Sequence, residues 1–292
     1  MLFPEARRAV EAMAAEEPVH TPGYDVGAAR AAARKLAAAE PREHVAAVED
    51  VDADGVPARL YAPAEAEDAA GPVVVHAHGG GFVFNDVEVH DAASRRLANR
   101  SGMRVLSVDY RCPPEHRFPA AADDVDTAAG WAGRELGGPL LAHGDSAGGN
   151  LALVAALRRP GRFRALALIY PFLDPTAAFE SYRTAADGFD PAEAAWYWQQ
   201  YAAAPADLGH PDLAPLLSDR LGTLPPTLVV TAEHDPLRDE GEELARRLAE
   251  LGVEVTATRY LGQVHGFWRH AGVFPSAEPL GRQVAGFLRQ HA

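Results

Sequence analysis

The most constraining stretch is Leu140-Leu141-Ala142-His143-Gly144-Asp145-Ser146-Ala147-Gly148-Gly149-Asn150. An apolar run leads into a Gly-x-Ser-x-Gly pattern, and a helix-forming run, Leu151 to Leu157, leads out. A strand, a sharp turn and a helix in that order make a nucleophile elbow. Ser146 must then sit in a strained backbone conformation, with its hydroxyl at the C-terminal edge of a sheet. Gly144 and Gly148 flank it because strand and helix approach too closely there for side chains. The helix N-terminus leaves free N–H groups facing the same point. Without its setting, the five-residue pattern is also compatible with a plain Gly/Ser loop.

A second stretch sharpens the reading. Val73-Val74-Val75-His76-Ala77-His78-Gly79-Gly80-Gly81-Phe82 is another apolar strand, and it ends in a glycine turn. Three glycines let the backbone present N–H groups inward, as an oxyanion hole requires, with the N–H of Ala147 as partner. His78-Gly-Gly-Gly81 followed by Gly144-Asp-Ser-Ala-Gly-Gly149 resembles the bacterial hormone-sensitive lipase family of α/β-hydrolase serine esterases.

The rest of the chain reads as α/β. Helices are expected over Pro4–Ala15 and Val26–Ala39, separated by the breaker-rich stretch 18–23. They form either a frayed extension or, as the resemblance implies, part of a cap. Val45–Val51 and Val56–Tyr61, joined by Asp52-Ala53-Asp54-Gly55, read as a β-hairpin. Ala64–Gly71 reads as a surface loop. Strands are then expected at Val73–His78, Arg104–Asp109, Pro139–Ala142 and Ala165–Tyr170, alternating with helices at Val89–Arg100, Ala120–Leu136 and Ala147–Arg158. Such alternation means a mostly parallel sheet covered by helices on both faces. Residues 171–221 break the rhythm, with Trp196, Tyr197, Trp198 and Tyr201 and no convincing strand. The rhythm resumes with strand Pro226–Ala232, helix Leu237–Leu251, strand Glu254–Tyr260 and helix Ser276–Arg289. We expect one α/β-hydrolase catalytic domain over residues 1–292, with cap segments at about 1–42 and 171–221.

A serine hydroxyl needs a base to attack, and the base needs an orienting acid. In this fold they follow in the order Ser, Asp or Glu, His, each at the end of a strand. Thr231-Ala232-Glu233-His234-Asp235-Pro236-Leu237-Arg238-Asp239 and Gly262-Gln263-Val264-His265-Gly266-Phe267 occupy those places. The resemblance puts the acid at Asp235 and the base at His265. Asp235 is also a natural N-cap for the helix that follows. Asp239 and Glu233 are rival acids. His234, His270, His143 and His76 are rival bases.

The resemblance further implies an oxyanion hole from Gly80, Gly81 and Ala147, with His78 and Gly79 supporting the loop. Asp145 is expected to be a partly exposed supporting carboxylate. Phe82, Asn85, Tyr197 and Trp198 are candidate substrate-pocket residues, although aromatics also serve simply to pack a core. Asp109-Tyr110-Arg111, the stretch 114–119, Tyr170-Pro171 and Pro215-Leu216-Leu217 resemble further family positions. Cys112-Pro113 stands where Leu-Ala is commoner, and Asn85 where glycine is usual. These departures bear on substrate preference, not on reaction class.

No cofactor is expected, and no metal. His76 and His78 face the same way on a strand, but no third ligand is apparent in the sequence. A net charge of −14 argues against nucleic acid and against anionic membranes as partners. No apolar stretch reaches bilayer length. The single cysteine, Cys112, and the absence of a basic-then-apolar start lead us to expect a cytoplasmic protein. The expected partner is a small-molecule ester, and a homodimer stays open. The resemblance implies a serine carboxylesterase for short- to medium-chain esters, acting through an acyl-enzyme on Ser146. Two alternatives remain. One is a non-catalytic binding homologue, as in the plant gibberellin receptor, which lacks the histidine. The other is a lactonase, amidase or acyltransferase using the same triad.

Overall fold

The structure is a computed structural model that describes residues 1–65 and 71–292. The middle of the expected loop Ala64–Gly71 lies outside the described residues.

The chain opens with helices α1 (Pro4–Met13) and α2 (Val26–Ala37). Pro4 suits the first turn of α1, and the Asp25 carboxylate caps α2 by accepting the N–H of Ala28 at 2.9 Å. Strands β1 (Ala47–Asp52) and β2 (Pro57–Ala62) form the expected antiparallel hairpin. Then come β3 (Val73–Ala77), α3 (Asp91–Ser101), β4 (Arg104–Val108), α4 (Ala120–Glu135), β5 (Leu140–Asp145), α5 (Ala147–Arg158) and β6 (Phe163–Ile169). The irregular stretch holds α6 (Ser181–Thr184), α7 (Pro191–Tyr201) and three short 3-10 turns. The chain closes with β7 (Thr227–His234), α8 (Arg238–Glu250), β8 (Val255–Val264) and α9 (Ala277–Gln290).

The eight strands form one sheet in the order β1-β2-β4-β3-β5-β6-β7-β8. The six from β4 to β8 run parallel, and the hairpin adds the antiparallel edge. Side-chain alternation sends residues to opposite faces. Val73 and Val75 join the core beneath α4, α5 and α8, whereas Val74 joins the core beneath α3 and α9. A sheet covered on both faces needs apolar residues at nearly every position, and β3 and β5 are buried throughout.

Two strands run further than their composition suggests. β5 continues through His143, Gly144 and Asp145, where a turn was expected, because β3 and β6 pair with it on both sides as far as Gly144 and Asp145. β8 continues past Tyr260 to Val264, bending at Gly262 (φ 70°). No helix among the described residues is long and apolar enough to cross a membrane.

Candidate active site

Ser146 follows directly on β5 and precedes α5, with φ 55° and ψ −123°. A β-carbon at Gly144 would run into the carbonyl of Gly148, and one at Gly148 into the carbonyl of Ala77. Glycine at both positions is therefore a packing requirement. The strained turn is tied down from several sides. The Ser146 N–H donates to the Ile169 carbonyl at 2.9 Å, and its carbonyl accepts from Phe172 at 3.1 Å. The side chain is almost fully buried at the base of a cavity of about 240 Å3.

β7 and β8 bring two further side chains to the same point. Ser146 Oγ lies 2.9 Å from His265 Nε2, and His265 Nδ1 lies 2.8 Å from Asp235 Oδ2. Asp235 is fully buried, and its other oxygen accepts the N–H of Leu237 at 2.9 Å. It thus opens the following helical turn and faces His265 at once. These rival groups bond other partners. Glu233 accepts the N–H of Gly262 at 2.7 Å, and Asp239 accepts the N–H of Ser181 at 2.8 Å. His234 meets Asp187 at 2.8 Å, and His270 meets Arg269 at 2.8 Å.

The glycine loop follows β3. Gly80 takes φ 131° and Gly81 φ 59°, and the Gly80 carbonyl accepts from Val83 at 3.1 Å and Phe84 at 2.8 Å. A side chain at Gly80 would strike the carbonyl of Phe84, and one at Gly81 the ring of Tyr197. Gly79, Gly80 and Gly81 line the cavity with Ser146, and Ala147 follows as the first residue of α5. His78 donates from Nδ1 to the Gly79 carbonyl at 3.0 Å, and its ring stacks on Tyr110 at 4.1 Å.

Asp145 differs from expectation. It is 4% exposed, not partly open, because the lengthened β5 carries it under the glycine loop. Its carboxylate accepts the Gly79 N–H at 3.0 Å. Burial pushes its pKa up to about 6.

The four candidate pocket residues divide. Asn85 and Tyr197 line the cavity. Asn85 sits at φ 68°, a conformation that asparagine tolerates, and its Nδ2 donates to the Gly79 carbonyl at 2.9 Å. The Tyr197 hydroxyl donates to Glu193 at 2.8 Å. Phe82 and Trp198 are buried behind that wall instead. Phe82 stacks on Tyr201 at 3.9 Å, and Trp198 lies 4.3 Å from Phe172.

Other cavity residues carry no sequence signal of their own. Met13 arrives from α1, Gly188, Phe189 and Glu193 from the irregular stretch, and Arg269 and His270 from beyond the His265 loop. The rings of Tyr170 and Phe189 flank His265 at 4.6 and 4.9 Å. Burial raises the pKa of Glu193 despite the Tyr197 hydrogen bond.

A serine at hydrogen-bond distance from a histidine, itself held by a buried carboxylate, defines a nucleophilic hydrolase site. The chain belongs to the α/β-hydrolase family, in the branch of the bacterial hormone-sensitive lipases: residues 74–269 match the model of the alpha/beta hydrolase fold. An ethyl acetate hydrolase of Pseudomonas putida is 34% identical over 254 residues, covering 82% of this chain and 80% of that one. The structure of a Pyrobaculum calidifontis esterase is 37% identical with a TM-score of 0.87, covering 99% of both chains. The structure of an esterase from the bacterial hormone-sensitive lipase family is 27% identical with a TM-score of 0.88, covering 100% of this chain and 99% of that one.

Proposed function

We propose that this chain is a serine carboxylesterase that hydrolyses short- to medium-chain esters through an acyl-enzyme on Ser146. The observation that carries the reading is the run of contacts Ser146–His265–Asp235, at 2.9 and 2.8 Å, beside a glycine loop. Ser146 Oγ attacks the ester carbonyl carbon while His265 Nε2 takes its proton. Buried Asp235 keeps the Nδ1–H tautomer and stabilises the imidazolium that forms. The carbonyl oxygen becomes an oxyanion, held by the N–H groups of Gly80, Gly81 and Ala147. His265 returns the proton to the leaving alcohol. Water then attacks the acyl-enzyme with His265 again as base.

Names of relatives support the ester class, since each of the three is an ester hydrolase or esterase. Residues 1–42 and 171–221 act as the cap in this reading. In support, Met13 from the first segment and Gly188, Phe189, Glu193 and Tyr197 from the second wall the cavity. The small cavity favours soluble esters of modest acyl length. A lone, half-buried Cys112 fits a reducing compartment, and we place the enzyme in the cytoplasm. Sedimentation will decide between monomer and homodimer.

The test is a substrate panel of esters, lactones and amides, with and without competing alcohols, on wild type and Ser146→Ala. Ester hydrolysis that disappears with Ser146→Ala supports the reading. Preference for an amide or lactone, or net transfer to alcohol, replaces the carboxylesterase by one of those activities.

A further inference from the structure

The proposed reaction makes no use of His76, His90 or His143, yet these three histidines are no more than 1% exposed. They gather from β3, the residue before α3, and β5. The His76 ring lies 4.9 Å from that of His143 and 5.7 Å from that of His90. Buried polar atoms normally have partners. Here His76 Nε2, both nitrogens of His90 and His143 Nε2 have none among the described residues.

The contact between His76 Nδ1 and His143 Nδ1, at 2.9 Å, needs one donor and one acceptor. If His76 donates, its Nε2 carries a free lone pair. Metal-bound histidines are commonly fixed in this way, by a hydrogen bond from the other ring nitrogen. Asp145 completes the group: one donor atom each from His76, His90 and Asp145 lies within 4.8 Å of the others.

We propose that His76, His90 and Asp145 form a buried site for a divalent transition cation of the zinc type, with His143 fixing the tautomer of His76. Two imidazoles and a carboxylate suit Zn2+ or Co2+ better than Mg2+ or Ca2+, which prefer all-oxygen sites. Bonds of about 2.1 Å need donors no more than roughly 4 Å apart, so each side chain closes by less than about an ångström when the ion enters. The opposing charge nearby, Arg269, faces Glu40 at 3.4 Å. His78 lies outside this group of donor atoms, its ring stacked on Tyr110 at 4.1 Å. The cation has a structural role. It pins the carboxylate that holds the Gly79 N–H, at the wall that His90 and Asp145 share with the cavity of Ser146.

The chelator-treated full-length protein is titrated with Co2+ by visible absorption and with Zn2+ by calorimetry. We expect one equivalent of Co2+ with the bands of nitrogen and oxygen ligation, displaced by Zn2+, and a higher Tm when loaded. His76→Leu and His90→Leu should weaken binding at least about 100-fold. His143→Phe, which removes the tautomer-fixing partner, should weaken it about 10-fold or more. His116→Asn, on the exposed surface, should bind as wild type does. Absence of saturable binding to wild type overturns the proposal even if the variants fail to fold. So does binding that His76→Leu and His90→Leu leave unchanged.

Discussion

The carboxylate of Asp145 accepts the N–H of Gly79 at 3.0 Å, so the residue before the proposed nucleophile holds the first glycine of the loop. Elbow and glycine loop are thereby one mechanical unit. Asp145→Ala leaves a buried N–H without its acceptor, a loss of about 1–3 kcal/mol. We expect kcat to fall about tenfold or more, while a fluorophosphonate still labels Ser146. Asp145→Asn keeps an acceptor oxygen and should recover most of the rate. Steady-state kinetics on metal-free enzyme checks this, and a wild-type kcat for Asp145→Ala would contradict it.

Gly80 has no room for a β-carbon, which would meet the carbonyl of Phe84, and its φ of 131° excludes other residues without strain. Gly80→Ala should displace the N–H that we propose holds the oxyanion. The loss of one such donor typically costs about 10²–10³ in kcat. Circular dichroism and kcat measured together separate a local effect from unfolding. An alanine variant with native kcat would remove Gly80 from the oxyanion hole.

Glu240 is fully buried under the proposed acid loop, accepting the N–H of Leu173 at 2.6 Å and the hydroxyl of Tyr182 at 3.1 Å. Burial holds its pKa well above the usual carboxyl range. The native state therefore binds this proton more tightly than the unfolded chain. The stability it contributes is full below the unfolded-state pKa, near 4.5, and falls as pH rises toward the native value. Glu240→Gln keeps both contacts without the charge. The Tm of the variant, relative to wild type, should rise between pH 4.5 and 8. A constant difference across that range would count against the shift.

The N-terminal segment reaches the loop that carries His265. Phe3 N–H donates to the Gly262 carbonyl at 3.0 Å, its ring covers Gly262, and Gln263 donates to Glu5 at 3.2 Å. Met13 at the other end of α1 lines the cavity. Deleting residues 1–14 should raise KM by opening the cavity and lower kcat by loosening His265. A misplacement of about 1 Å can cost 10²-fold. Kinetics over an ester series tests both effects, and unchanged kcat would show that the loop is held without Phe3 and Glu5.

The alternation of strands and helices was legible because β3 to β7 are almost wholly buried and carry dense apolar runs. The positions of Ser146, Asp235 and His265 were legible because each ends a strand and sits in a short pattern of its own. What the sequence could not tell comes from contacts between distant segments. Gly144 and Asp145 look like a turn, and only pairing with β3 and β6 extends β5 to bury Asp145. Phe82 and Trp198 look like pocket aromatics, but the stacking partners that hold them in the core, Tyr201 and Phe172, lie far along the chain or on another element. The sequence paired His76 with His78, whereas its proposed partners His90 and Asp145 approach it only through the crossovers of the sheet. Asn85 at a glycine position makes sense once its positive φ and its bond to Gly79 are seen.

The central claim is that Ser146, activated by His265, forms an acyl-enzyme with esters. Intact-mass analysis after a fluorophosphonate probe, beside turnover of p-nitrophenyl esters from acetate upward, tests it most directly. The account predicts a single adduct on Ser146, lost in Ser146→Ala, and turnover highest on the shorter chains. No adduct on a folded protein, or an adduct on another residue, would contradict it.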